Sequence, residues 1–355
     1  MERYIIWFSD CSRELLPRVG GKNASLGEMT KAGMAVPPGF AITTEAYDDF
    51  LTEAGIKPKI EKILKEVPAE SATAMEEASQ AVCQLMAAVP LPKRVEKAIS
   101  DSYEKLGERC GVTDVPVAVR SSATAEDLPG ASFAGQQETF LWVIGSHNVL
   151  EKFQRCCSSL YTGRAISYRI RMGFPHEKVL ISTGVQKMVN AKVAGVIFTL
   201  NPLNGDPSKV VVEASWGLGE SVVSGEVTPD SYLVDKVTKD ILKRTISQKA
   251  TEHVLDPSRS QAVCLDVPPE RQGCPCLPDE EVLALVRLAV LIERYFGKPQ
   301  DIEWAIDRGL PFPDNIFILQ SRPETVWSQK RGKGPTLAPK ASILEIMIDQ
   351  LKEGG

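Results

Sequence analysis

The sequence predicts an α+β fold, because it contains both long amphipathic helices and strands with one polar face. Residues 56–111 are mostly helical in pattern, and apolar side chains recur at helical spacing in residues 75–89 and 93–110. Residues 300–323 instead alternate polar and apolar side chains on either side of a Gly- and Pro-containing loop. That second pattern predicts two strands of a β-hairpin.

Composition limits the classes of function. The 355 residues are 43% hydrophobic and 25% charged, as in a soluble globular protein of two or three domain-sized units. The net charge of −5, with no long basic run, argues against a nucleic-acid partner. No apolar stretch approaches membrane-spanning length, and the first apolar run is too short for a signal peptide. We therefore predict a cytoplasmic protein without a membrane partner.

The hairpin of residues 300–323 carries the first candidate site. Asp301 and Glu303 share one strand face, and Gln320 and Arg322 share a face of the returning strand, because alternate residues point the same way. Mg²⁺ takes oxygen ligands from one or two carboxylates plus substrate phosphates, and an arginine holds phosphates in a planar fork. On spacing alone, a solvated strand face with a cross-strand ion pair is the equal alternative.

A second candidate site precedes the first predicted helix. Residues 16–23 are predicted to form a turn and residues 24–32 a helix, which Gly33 ends in a left-handed conformation. The two glycines at positions 20 and 21 allow close approach of a ligand, and Lys22 at the helix start can reach a phosphate. The spacing is not that of a Walker A loop.

Residues 116–120 are predicted to form a buried strand that delivers Arg120 to its end. A loop of small and polar residues follows, and a second strand begins at Thr139. Such a loop is either a flexible surface connection or a flap whose backbone N–H groups cover phosphates. The arginine directly before the loop favours the flap.

The rest of the chain alternates further strands and helices. We predict helices at residues 147–157, 161–172 and 279–296, strands at residues 179–187, 193–199, 210–214, 231–235 and 241–248, and a loop over residues 250–278. Residues 190–191 look like a hinge between two lobes. Residues 328–340 have the composition of a linker, and residues 341–351 form a last amphipathic helix that docks on its own domain or on a partner.

Six motifs occur in order along residues 19–323. They are VGGKNASLGEM, VRSSATAEDLPGASFAGQQETFL, VQKMV, AGVIFTLNP, VVVEASWGLGE with VVSGEVTPDSY, and DIEWA with LQSRP. Together they resemble the nucleotide-binding domain of the dikinase family, which includes phosphoenolpyruvate synthase, pyruvate phosphate dikinase and rifampin phosphotransferase. The resemblance implies an ATP-grasp fold, in which a first lobe of residues 1–189 and a second lobe of residues 190–328 hold ATP between them. Residues 329–355 would be a linker and C-terminal helix.

The resemblance also implies roles for individual residues. In the first lobe, Lys22 and Arg120 would contact the phosphates. Gly135 and Thr139 would belong to the flap over the phosphates, and Gln186 would lie at the hinge that contacts the adenine. In the second lobe, Glu303 and Gln320 would bind the metal, and Asp301 would support them. Arg322 would contact the transferring phosphate, and Glu213 is a weaker candidate for holding the ribose. The implied cofactors are ATP and Mg²⁺. Lys22, Arg120 and Arg322 would stabilise the charge that develops during phosphoryl transfer.

Full dikinases continue into a domain that carries a phosphorylated histidine. His147, His176 and His253 are the three histidines of this chain, and none has the motif of that domain. We therefore expect a phosphotransferase subunit that passes a phosphoryl group to a histidine on a partner subunit, with overall release of AMP and phosphate. A stand-alone chain of this kind resembles the ATP-binding subunit of phenylphosphate synthase, which implies phenol as the final acceptor, whereas the wider dikinase resemblance implies pyruvate.

Two alternatives stay open. One is a non-catalytic regulatory subunit that senses ATP. The other is the ATP-binding fragment of a full-length phosphoenolpyruvate synthase or rifampin phosphotransferase.

Overall fold

The structure, a computed structural model, describes residues 3–124, 138–256 and 261–327. The chain divides into two compact units, one of residues 1–28 and 38–188 and one of residues 29–37 and 189–355. Gly135, the predicted linker and the predicted C-terminal helix lie outside the described residues. Each unit combines helices with a sheet, which confirms the α+β class.

The first unit contains a five-stranded sheet in which every neighbouring pair of strands is antiparallel. The strand order is β1-β2-β5-β3-β4. The strands are β1 Ile5–Trp7, β2 Gly39–Ile42, β3 Val117–Ala123, β4 Thr139–Val143 and β5 Ile181–Lys187.

Helices bury one face of this sheet. They are α2 Thr44–Glu53, α3 Lys57–Lys65, α4 Ala72–Ala87, α5 Lys93–Cys110, α6 Ser146–Ser158 and α7 Gly163–Met172. Helix α1, Leu16–Lys31, packs on the opposite face, where Gly20 lies against Ser122 and Asn23 against Gly184. The core joins apolar helix side chains such as Ile99 to Val117, Val119 and Val185 of the sheet. The amphipathic pattern predicted α5 with its bounds, and Gly111 ends that helix in the left-handed region (φ 64°).

Two sequence expectations for this unit are wrong in detail. Residues 16–23 are not a simple turn, since α1 already begins at Leu16 and is kinked at Gly20 (φ 72°, ψ 169°). Arg120 does not end its strand, because β3 continues to Ala123 by pairing with β5. The prediction missed the helical structure on both sides of the kink in α1 and the pairing with β5 that extends β3 beyond Arg120.

The second unit contains a six-stranded antiparallel sheet. Its strand order is β13-β12-β6-β7-β8-β9. The strands are β6 Ala191–Phe198, β7 Lys209–Trp216, β8 Asp230–Asp235, β9 Ile241–Thr245, β12 Gln300–Asp307 and β13 Ile316–Pro323. One face packs against α10, Asp279–Phe296, which buries Val282, Leu285 and Ala289.

The predicted loop over residues 250–278 is wrong. Strands β10, Thr251–Asp256, and β11, Gln261–Asp266, form a separate two-stranded sheet within it. Two short helices complete the second unit, α8 Glu220–Val223 and α9 Pro269–Gln272. The β10–β11 pair has polar residues on both faces, such as Glu252 and His253, so it lacks the alternation that reveals a half-buried strand.

Among the helices in the described ranges, none is both long enough and apolar enough to cross a lipid bilayer.

Two buried acceptor oxygens, one at the start of α10 and one directly before β13, lack hydrogen-bond donors among the described residues. Glu281 and Asn315 are 7% and 6% exposed, and Glu281 Oε2 and Asn315 Oδ1 have no hydrogen-bond partner within the described part of the chain. Burial raises the pKa of the Glu281 carboxyl, against the opposing effects of Lys192 and of a hydrogen bond from Asn315. A buried acceptor that lacks a donor destabilises the folded state.

We expect Glu281→Gln to stabilise the protein by about 1 kcal/mol, because the amide adds a donor and removes a buried charge. Glu280→Gln is the matched control, since Glu280 lies next to it in the same helical turn and is exposed. The control loses only a small interaction with the helix dipole. Urea unfolding measures both variants, and a Glu281→Gln variant that is less stable than the control would contradict this account.

Candidate functional site

Glu303 lies in a row of residues that crosses the sheet of the second unit. The register pairs Glu303 with Gln320 on one side and with Val196 on the other. Val196 in turn pairs with Glu213, which pairs with Ser231. Directly paired residues of antiparallel strands project from the same face. The sheet therefore brings Gln320, Glu303 and Glu213 onto one surface.

Asp301 and Arg322 lie on the same surface, two residues from Glu303 and Gln320 respectively. Arg322 Nε is 3.4 Å from Asp301 Oδ2, and the two side chains are 52% and 17% exposed. Asp301 Oδ1 is buried and accepts no hydrogen bond from the residues that the structure describes. Burial raises the pKa of the Asp301 carboxyl, and the nearby Arg322 opposes that rise. One carboxylate oxygen thus remains available to a further cation.

Glu213 is the one charged residue in the otherwise apolar run of residues 210–214. Burial raises the pKa of its carboxyl. It lies two strands from Glu303, a separation of about 10 Å at the usual strand spacing. The family resemblance alone pointed to this residue, and the register shows that it shares the surface of Glu303.

The oxygen atoms on this surface fit Mg²⁺ chemically. Asp301 and Glu303 offer carboxylates and Gln320 an amide, all of which are hard oxygen donors. Within the described ranges, no three His, Cys, Asp or Glu side chains close around a metal position. The donor set suits an ion that takes one or two protein carboxylates together with phosphate oxygens.

In the first unit, three predicted site residues share one face of the sheet. Arg120 pairs with Gly184 on one side and with Thr139 on the other. Ala118, two residues before Arg120, pairs with Gln186. Gln186 is 2% exposed, whereas Thr139 is exposed. Arg120, Thr139 and Gln186 therefore project to the same side.

Lys22 reaches this region from α1. Its Nζ donates a hydrogen bond to the carbonyl oxygen of Ser121, 3.3 Å away, directly beside Arg120 in β3. Lys22 follows the kink at Gly20, where the second part of α1 begins. Two cationic side chains and the start of a helical segment favour an anion at this place.

The three histidines lie in ordinary structural surroundings. His147 is exposed in the first turn of α6, and His253 Nε2 is 3.5 Å from a Glu226 carboxylate oxygen. His176 Nδ1 accepts a hydrogen bond from Arg169 Nε at 2.8 Å. Burial, followed by the charge of Arg169, lowers the pKa of His176 to about 4.

The second unit has oxygen donors beside an arginine, and the first has a lysine near an arginine. These are the kinds of side chain with which nucleotide-binding proteins hold metal ions and phosphates. The family match gives the particular family. The sequence matches the family described as "Pyruvate phosphate dikinase, AMP/ATP-binding domain" over residues 16–340. The chain belongs to this family of ATP-binding domains.

Curated relatives of the chain are named phosphoenolpyruvate synthases. The "Probable phosphoenolpyruvate synthase" of Staphylothermus marinus is 45% identical over 99% of this chain and 45% of that protein. The "Phosphoenolpyruvate synthase" of Aeropyrum pernix is 44% identical over 98% of this chain and 46% of that protein. The relative from Methanocaldococcus jannaschii is 43% identical over 96% of this chain and 28% of that protein. The chain thus spans less than half the length of these relatives.

We expect Asp301→Asn to raise the melting temperature at pH 7. The raised pKa means that the folded state disfavours the ionised carboxylate, so wild-type stability falls as pH rises through that pKa. The amide does not titrate, and its advantage should therefore shrink as the pH is lowered towards 4. Asp314→Asn, in the exposed loop of the same hairpin, is the matched control. Lower stability of Asp301→Asn at pH 7 would show that the pair with Arg322 outweighs burial.

Proposed function

We propose that this chain is the ATP-using module of a dikinase-type phosphotransferase. It would transfer a phosphoryl group from Mg-ATP to a histidine of a phosphohistidine domain outside the 355 residues of this sequence. Overall, ATP, water and the histidine would give AMP, phosphate and phosphohistidine. The observation that carries the proposal is the surface on which β12 and β13 align Asp301, Glu303, Gln320 and Arg322.

The protein would contribute to the reaction mainly through electrostatic stabilisation of the phosphates. Phosphoryl transfer requires alignment of the nucleotide and neutralisation of phosphate charge, with little covalent chemistry from the protein. Mg²⁺ supplies that neutralisation when it is bound, and Glu303 and Gln320 are the proposed ligands with Asp301 in support. Arg322 is placed beside these donors, where its guanidinium would steady the transferring phosphate.

The first unit would bind the rest of the nucleotide. We assign phosphate contacts to Lys22, whose Nζ donates to the carbonyl oxygen of Ser121, and to Arg120, the preceding residue of β3. Thr139 and Gly135 would belong to a flap over the phosphates, and Gln186 would contact the adenine. Glu213 of the second unit would hold the ribose, so that one ATP would engage groups of both units.

The relatives favour phosphoenolpyruvate formation as the wider reaction. Those named above are phosphoenolpyruvate synthases, and their names point to pyruvate chemistry in the whole enzyme. None of them is a phenylphosphate synthase, so pyruvate is a better proposal than phenol for the final acceptor.

A non-catalytic ATP sensor is the main rival. Sensing requires affinity for the nucleotide, but it does not require carboxylates and an arginine aligned for a transferring phosphate. The presence of Asp301, Glu303 and Arg322 on one surface therefore favours transfer.

The test uses ATP labelled in its β and γ phosphates. We expect the chain and Mg²⁺ to place an acid-labile label on an added phosphohistidine domain from a dikinase relative, with AMP as the second product. Phosphohistidine hydrolyses in acid, whereas phosphoserine persists. Glu303→Gln should reduce the labelling rate at least a hundredfold, because it keeps the shape and removes a charge from the metal site.

Glu270→Gln is the matched control, since Glu270 is an exposed carboxylate of the second unit, outside the sheet that carries the site. It should label the added domain at the wild-type rate. Binding of Mg-ATP without any transfer would favour the sensor. Acid-labile label on this chain itself, lost in His147→Ala, would show that one of its own histidines is the acceptor.

A further inference from the structure

Asn23 fixes the backbone directly after Lys22. Its side chain is 2% exposed, and Nδ2 donates hydrogen bonds to Val19 O at 2.9 Å and to Ser182 Oγ at 3.1 Å. Ser182 Oγ donates in turn to Ile42 O at 2.6 Å. A continuous chain of hydrogen bonds therefore joins the kinked part of α1 to strands β5 and β2.

Gly184 provides the space that Asn23 occupies. A Cβ at Gly184 would lie 2.3 Å from Asn23 Oδ1, far inside the contact limit, so only glycine fits beneath the amide. Gly184 is also the register partner of Arg120. Asn23 therefore packs on β5 at Gly184, the residue that pairs with Arg120 of β3.

The other side of Lys22 is fixed as well. Gly20 has a φ of 72°, which places the kink in the left-handed region. A Cβ at Gly20 would lie 2.2 Å from Ser122 O, so this backbone packs directly on β3. Ser122 lies two residues from Arg120, on the same face of the strand. Both ends of the short segment that carries Lys22 are therefore held against the Arg120 face.

We propose that Asn23 is a positioning residue that holds Lys22 beside Arg120 for the binding of nucleotide phosphates. The inference rests on the proposed function, since it concerns the same phosphate contacts. Asn23 acts through the backbone of Lys22 and does not itself touch the nucleotide. Its contribution comes from ordering a long, flexible lysine before binding, so that less conformational entropy is lost when the phosphate arrives.

A double-mutant cycle on Mg-ATP affinity separates positioning from general stability. Calorimetry would compare the wild type with Asn23→Ala, Lys22→Met and the double variant. Asn23→Ala should weaken binding about five- to tenfold, in line with the loss of one or two neutral hydrogen bonds. In the Lys22→Met background the same change should weaken binding less than about twofold, because the group that it positions is gone.

Ser71→Ala is the matched control for stability. Ser71 Oγ caps α4 by accepting from Ala74 N at 3.1 Å, so its loss destabilises the same unit without touching the Arg120 face. Mg-ATP affinity of this variant should equal that of the wild type.

A suppressor experiment tests the contact between Asn23 and Gly184. Gly184→Ala should weaken Mg-ATP binding, because the new methyl group collides with the Asn23 amide. Adding Asn23→Ala removes the colliding atoms, so the double variant should bind better than Gly184→Ala alone.

The outcomes distinguish the two proposals. If the wild type does not bind Mg-ATP, the proposed function falls. If the wild type binds but Asn23→Ala binds equally well, or its loss is as large in the Lys22→Met background, the positioning role is wrong and the proposed function stands. If the double variant binds Mg-ATP no better than Gly184→Ala alone, the contact between Asn23 and Gly184 does not position Lys22, and the positioning role is wrong.

Discussion

The register of β12 against β13 is the constraint on which the candidate metal surface depends. A slip of one residue would turn every side chain of a strand to the opposite face. Ile302 and Trp304, between and after the two carboxylates, are both fully buried (0% exposed). Because alternate residues of a strand point to opposite faces, their burial keeps Asp301 and Glu303 on the other face of the sheet. The hydrophobic core of the second unit thus orients the polar groups of the site.

This arrangement has an electrostatic cost that a bound cation would relieve. Burial raises the pKa of both Asp301 and Glu213, which means that the folded protein alone disfavours their ionised forms. Arg322 offsets only part of this effect, because it is half exposed and pairs with one oxygen of Asp301. Buried carboxylates with raised pKa values are typical of sites that bind charged ligands.

Local patterns predicted the hairpin well and the rest of the site less well. Alternation alone placed Asp301 with Glu303 and Gln320 with Arg322, because residues two apart share a strand face whatever the tertiary structure. It could not show that Glu213 lies on the same surface, since that follows from pairing through β6. Asn23 was missed altogether, because its partner Ser182 is 159 residues away in the sequence.

We propose that one nucleotide engages both units, and hydrogen–deuterium exchange tests this proposal most directly. Exchange would be compared for the protein alone and with saturating Mg-ATP. With Mg-ATP we expect slower exchange in the kinked part of α1 and in β3, and also in β12 and β13. Protection confined to one unit would contradict the claim, as would exchange that ATP leaves unchanged in both.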